Sequence, residues 1–326
     1  MQKKIIALAV ASVMAIPLAA QATPTVYGKL HLSYGSVEKE SATPKVDNWQ
    51  LRSHASRFGI KGSRKISNSL EAIYKFEWQV DYEQGTDAAL DRRNMYAGLK
   101  GDWGQLRFGR HDTPLKMSQG KFDQFGDTDA DLKHAGKHDG ENRLDNVLVY
   151  MGKTGNVGYA IAAIPAEGDG TTAGDGPADS ISASISYESG PFYVALAQDS
   201  YDDTGAAANT ENGLTRLTGT YKMGNMQLGL MWQTGVEKVA ASTAEEDWLG
   251  VSFNTKIGGK NKFKAQYIMT EDNAATKTER SLMALGIDHK FDKKTTGYIM
   301  YSNLETDAGA TTTDDSFAGV GLVMKF

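Results

Sequence analysis

The chain has 326 residues, a formal net charge of −5, 35 glycines, only 7 prolines and no cysteine. The lack of cysteine excludes disulfide staples, zinc–thiolate centres and thiol nucleophiles, and the acidic balance argues against nucleic acid as a partner. That balance would suit a preference for cations, although net charge describes a bulk field and not a site.

The chain begins MQKK, continues with an apolar run from Ile5 to Ala20, and then reads Ala20-Gln21-Ala22. A basic start, a short apolar core and small residues two apart predict a cleaved secretory signal peptide over 1–22, with the mature chain at 23–326. Removing Lys3 and Lys4 would make the mature chain more acidic by two charges. The run is shorter than the ~20 apolar residues of a spanning helix and contains Pro17, and no later stretch is long enough either.

From Thr25 onward the sequence falls into short runs of period two. In VYGKLHLSY, Val26, Leu30, Leu32 and Tyr34 share one face, and Lys29 and His31 share the other. The last run repeats the pattern, with Ala318, Val320, Leu322, Met324 and Phe326 on one face. Sixteen such runs are predicted, at 25–37, 52–64, 69–83, 92–101, 105–111, 143–153, 156–165, 180–190, 191–201, 213–224, 225–236, 245–257, 261–272, 279–291, 294–305 and 315–326. Short connections such as Asp102–Gly104 and Thr154–Gly155 alternate with long polar ones such as Ala166–Asp179 and Asp202–Asn212. An even number of strands with every second connection long predicts a 16-stranded antiparallel transmembrane β-barrel. Tyr and Trp gather towards strand ends, as in Tyr34, Trp103, Tyr159 and Tyr187, which fits aromatic girdles at the two membrane interfaces.

One stretch, Arg110–Arg143, refuses the strand pattern. It carries Asp112, Asp123, Asp127, Asp129, Asp131, Asp139 and Glu141, with Phe122 and Phe125 at its centre. A loop this long in a compact structure is generally functional or disordered. Strand parity puts Lys29, Arg57, Lys61, Arg143 and Asp145 on the inner face; Arg93 shares a face with Met95 and Ala97, opposite Tyr96. A basic wall of Lys29, Arg57, Arg93 and Arg143 facing an acid-rich loop makes a transverse field across a water-filled tube. Enzyme signatures are missing: there is no P-loop and no G-x-S-x-G elbow. His134 and His138 lack the H-E-x-x-H context, and Asp127-x-Asp129-x-Asp131 lacks the Gly and Glu of a calcium loop. His54 and His111 have no nucleophile paired with them. No nucleotide, metal or redox cofactor is implied.

Several motifs carry a family likeness: TVYGKLHLSY at 25–34, ASRFGIKGSR at 55–64, RNMYAGLKGDWGQLRFGR at 93–110, FDQFGDT at 122–128, NRLDNVLVY at 142–150 and the terminal VGLVMKF. With these the mature chain resembles the trimeric, sixteen-stranded general diffusion porins of Gram-negative outer membranes. The resemblance implies that the third long loop, at about 111–142, folds into the barrel and narrows it. It places Lys29, Arg57, Arg93 and Arg143 on the wall and Asp123, Asp127, Asp129 and Asp131 among the loop acids. It makes Phe326 part of the signal read by the β-barrel assembly machinery, and the segment near Tyr82–Leu90 a latch onto a neighbouring subunit. Gln124 stands where related porins place a Glu, so the acids do not transfer one for one.

The expectation is a passive pore for ions and small hydrophilic solutes, in outer-membrane lipid and lipopolysaccharide, as a homotrimer. A substrate-specific channel, for example for sugars, would need an aromatic slide along the lumen. A barrel enzyme would need a nucleophile and base at one rim.

Overall fold

The computed structural model describes residues 24–81, 90–165, 176–203, 210–239, 242–274 and 277–326. The expected signal peptide at 1–22 and most of the expected latch, 82–89, lie outside the described residues.

Among the described residues, seventeen β segments form one closed antiparallel sheet. They are β1 (Thr25–Lys39), β2 (Val46–Ser53), β3 (Arg57–Lys65), β4 (Leu70–Val80), β5 (Leu90–Gly101), β6 (Gly104–Asp112), β7 (Arg143–Thr154), β8 (Val157–Ile164), β9 (Ser180–Ser189) and β10 (Phe192–Asp203). The remainder are β11 (Thr210–Met223), β12 (Met226–Val239), β13 (Ser242–Lys256), β14 (Asn261–Asp272), β15 (Glu279–Lys290), β16 (Thr295–Asp307) and β17 (Thr312–Lys325). Both β2 and β3 pair with β1, so they are halves of one pass and the barrel has sixteen passes. The sequence placed this second pass at 52–64 and missed its first half, Val46–Leu51.

The break at His54–Ser56 contains Ala55 at φ 46. Ser56 mends the ladder there: its hydroxyl accepts from the His31 N–H at 2.9 Å and donates to the His31 carbonyl at 3.2 Å. Closure comes from β1 against β17, in register from Lys29↔Lys325 to Lys39↔Asp315. At its foot, Gly28 and Phe326 exchange two backbone hydrogen bonds of 3.1 Å.

Exposure follows the pleat. Leu30, Leu196, Leu230, Val251, Ile299 and Val320 lie bare on the outside, while their neighbours on the other face are polar or packed inside the tube. No described helix is long and apolar enough to cross a membrane; the crossing is made by strands, which pair their backbone groups with one another in place of water. Rings stack on the outer rims, with Trp103 on Tyr150 at 6.1 Å and Tyr34 against Trp49 at 5.3 Å. Trp248 is an exception, 1% exposed inside the barrel.

Two bulges overturn strict parity. Phe76 pairs with Met95 but Trp78 with Arg92, so Arg93 and Asn94 together oppose Glu77. Arg93 therefore turns inward although Met95 and Ala97 turn outward, which simple alternation forbids. Likewise Gly109 pairs with Val147 but His111 with Leu144, leaving Asp145 and Asn146 (φ 59) opposite Arg110. The expectation that Asp145 points in is corrected: it is bonded on the outer side by Arg110 at 2.8 Å and Arg92 at 3.3 Å.

The seam between β1 and β17 tolerates no side chain at Gly35. A Cβ there would come within 2.4 Å of the Ala318 carbonyl oxygen and 2.7 Å of the Gly319 Cα. Gly35→Val should open the closing ladder at a cost of about 1–3 kcal/mol. The fraction of heat-resistant barrel on unboiled SDS gels should fall, and an undiminished folded band would refute this.

Candidate functional site

The long third loop leaves β6 and returns at β7, its neck closed by the Thr113 N–H donating to the Asn142 carbonyl at 3.1 Å. Thr113 also caps a short helix, α1 (Pro114–Ser118), by accepting from the Lys116 N–H at 3.1 Å, with Pro at the first helical position. Leu115 is buried between Ala197 and Leu214, which draws the loop into the tube at once.

Two phenylalanines then seat it on the inner wall. Phe122 packs with Leu132 and Ala135 from the loop and Met231, Trp248, Ile268 and Leu282 from β12–β15. It fits because Gly250 leaves space: a Cβ there would lie 2.5 Å from the ring. Phe125 packs with Val37, Ala284, Tyr298, Met300 and Phe317, and Lys264 lies over its face at 4.6 Å. Gln124, between them, serves as an anchor. Its N–H donates to Gln266 at 2.8 Å, and its side-chain oxygen accepts from Asn254 at 2.9 Å.

Buried polar groups on the wall take up the loop's remaining backbone. The fully buried Arg216 donates to the carbonyl of Asp139 and to the Glu141 carboxylate at 3.0 Å. Glu246 accepts from the N–H groups of Lys137 and His138 at 3.0 and 2.8 Å, and is also held by Arg280 at 3.2 Å.

The four expected loop acids separate by role. Asp123 accepts from the Phe125 and Leu132 N–H groups, and Asp131 from those of Asp127 and Lys133, so both shape the loop from within. Asp129 bonds Arg52 on β2. Asp127, at φ 63, reaches on to β1 and β3 and meets Lys29 at 2.6 Å and Arg57 at 3.2 Å. Because Asp127, Asp129 and Asp131 diverge to different partners, they do not converge on one ion position.

The expected wall cations are also split. Lys29 and Arg57 share Asp127. Arg93 bonds Glu77 at 3.1 Å and Gln79 at 3.0 Å instead, and Arg143 bonds Asp112 at 2.8 Å at the loop's neck. Burial would raise the Asp127 carboxyl, but Arg57 and Lys29 outweigh it and hold Asp127 well below the usual carboxylate range. Asp123 and Glu141 go the other way, each pushed up to about 7 chiefly by burial.

A sixteen-pass barrel narrowed by an inward-folded loop is now described, and sequence comparison decides its family. The profile of the Gram-negative porins matches residues 7–309. The chain belongs to the Gram-negative porin family. It is 26% identical over 359 residues to the major outer membrane protein P.IB of Neisseria meningitidis serogroup B, with 100% of both chains covered. Its fold is similar to that of the anion-selective porin from Comamonas acidovorans, with a TM-score of 0.75 at 17% identity, covering 94% of this chain and 100% of that one. It is also similar to the trimer form of OmpT of Vibrio cholerae, with a TM-score of 0.71 at 18% identity, covering 94% and 100%.

This porin is an outer-membrane barrel and a passive diffusion pore. The sequence reading overlooked three residues of its narrow zone, Arg52, Lys75 and Glu77, and named Asp112 only among the acids of the long loop. Lys75 and Glu77 were within reach of parity, since they alternate with the outward Tyr74, Phe76 and Trp78.

Replacing Arg216 by Met removes the loop's central donor and leaves the strand ladder intact. Amides of 113–142 should then exchange at least about tenfold faster while those of β10–β14 hold their protection; equal loosening of both would contradict an anchoring role. The pH dependence has a definite sign. Asp123 and Glu141 have folded values above their ordinary ones, so the stabilisation is full below the ordinary carboxylate range and is lost as pH rises through about 7. Loop protection, corrected for intrinsic exchange, should fall between roughly pH 4 and pH 7 and level off above that.

Proposed function

We propose that this porin passes small hydrophilic solutes with a bias towards anions, and that it works as a homotrimer after removal of residues 1–22. The observation that carries the bias is the charge balance where the loop meets the wall. Lys29, Arg52, Arg57, Lys75, Arg93, Lys116 and Arg143 stand against Asp127, Asp129, Glu77 and Asp112. Arg216 and Glu141 cancel each other. The excess is positive although the chain as a whole is acidic, and a permeating ion responds to the charges within about a Debye length.

In this reading Lys29, Arg57, Arg93 and Arg143 form the basic wall, Asp127 is its counterpart on the loop, and Asp123 and Asp131 keep the loop's shape. One structural neighbour is itself an anion-selective porin, in keeping with the bias. The trimer form of another supports the threefold assembly. Phe326, with its exposed ring at the closing seam, serves as the signal for the assembly machinery, and the outer face contacts lipid and lipopolysaccharide. A sugar-specific channel is less well supported, because the inward aromatics Trp248 and Tyr298 are buried under the loop, and Tyr27 and Tyr96 have cations against their rings.

Reversal potentials of purified channels in a KCl gradient test the bias. Chloride should permeate more readily than potassium. Asp127→Asn should raise that ratio roughly twofold or more, because it leaves Lys29 and Arg57 unanswered. A potassium-selective channel, or a ratio that falls in the variant, would overturn the reading.

A further inference from the structure

We infer that the inner wall just below the constriction carries a subsite for a small multivalent oxyanion, built from Lys61, Lys75 and Arg107 around the rings of Tyr27 and Tyr96. The inference rests on the anion-favouring reading of the constriction and adds a ligand class and a place.

Lys61 and Lys75 are directly opposed in the β3–β4 ladder. Like charges so placed are destabilising and need a compensating group. Both ammonium groups turn to one ring, at 5.1 and 5.9 Å from the centre of Tyr27. On its other side Lys75 pairs with Tyr96, and the Arg107 guanidinium lies over that ring at 4.6 Å. The three cations thus form a row across β3–β6 on the lumenal face, each resting near an aromatic ring that attracts cations.

The protein supplies too little negative charge for this row. Glu77 bonds Lys75 at 3.2 Å, but the same carboxylate also takes Arg93 at 3.1 Å and the Tyr27 hydroxyl at 2.8 Å. Among the described residues no carboxylate lies within 4.0 Å of Lys61 or Arg107. The polar contacts of Arg107 are neutral: Gln105 at 2.7 Å and His111 at 2.8 Å. A chloride ion can answer one of these cations at a time. An anion with several charged oxygens can answer two lysines and a guanidinium together, and Arg in particular suits phosphate or carboxylate geometry. Lys61 is four residues from the end of β3 at Lys65, about 13 Å along the strand, so the row opens towards the periplasmic mouth.

The test is single-channel recording in KCl at constant ionic strength, with pyrophosphate, succinate or acetate added on the side of the short turns. Pyrophosphate should block current at concentrations at least about tenfold below acetate. If succinate matches pyrophosphate, multiple charge is what the row recognises; if it does not, the subsite takes phosphate, and both results support it. Lys61→Gln/Lys75→Gln should weaken pyrophosphate block at least about fivefold, whereas the charge-matched Lys153→Gln/Lys222→Gln should leave the excess over acetate in place. Chloride preference with pyrophosphate no better than acetate would overturn the subsite and spare the constriction reading. Equal loss in both double variants would reduce the effect to bulk charge and overturn it as well. Loss of both chloride preference and pyrophosphate block in the unsubstituted channel would overturn both.

Discussion

Arg216 is the side chain on which the interior depends. A thirty-residue loop inside a water-filled barrel has no ladder of its own, so its backbone groups must find partners on the wall or remain in water. Arg216 is completely buried, yet it reaches the loop where it leaves the wall and where it returns, through Leu115 and through Asp139 and Glu141. Removing one partner from such a buried set strands the other, which is why these contacts hold firmly once made. Glu246 does the same for Lys137 and His138, and the seats of Phe122 and Phe125 supply the apolar burial that the polar contacts do not.

With the loop fixed along β8–β17, its tip continues onto β1–β3, which the closing seam brings alongside β17. Asp127 makes its contact there in a left-handed backbone conformation uncommon for a non-glycine residue. The side chain of Asp131 holds the Asp127 N–H at 2.6 Å and so helps to fix the bend. The local charge pattern therefore follows from backbone geometry as much as from composition: Asp127 faces two cations, Asp129 takes Arg52, and Asp123 and Asp131 are spent on shaping the loop.

Much of this was legible in the alternation of residues. Fifteen of the sixteen passes were placed to within three residues at each end, because lipid outside and water inside force one face to be apolar and leave the other free. The second pass was half missed because Asp47, Asn48 and Gln50 read as loop and only Trp49 and Leu51 mark the outer face. The bulges at Arg93–Asn94 and Asp145–Asn146 were not legible: neither contains a glycine, and Asn146 takes its positive φ without a turn motif around it. The four loop acids look alike in sequence. Which of them meets the wall depends on a dihedral angle at Asp127 and on which backbone amides the others find, and local composition encodes neither.

The bulge at Arg93–Asn94 has a consequence for transport. In an ideal pleat, successive lumenal side chains on one strand stand about 6.8 Å apart, because every second residue faces away. Where two consecutive residues turn inward, that spacing shrinks to about half. Arg93 then bonds Glu77 while Asn94, its next neighbour, bonds Asp112, so two acid-centred clusters meet without an intervening blank position. A solute moving along this wall meets polar groups at closer intervals than a regular strand could provide.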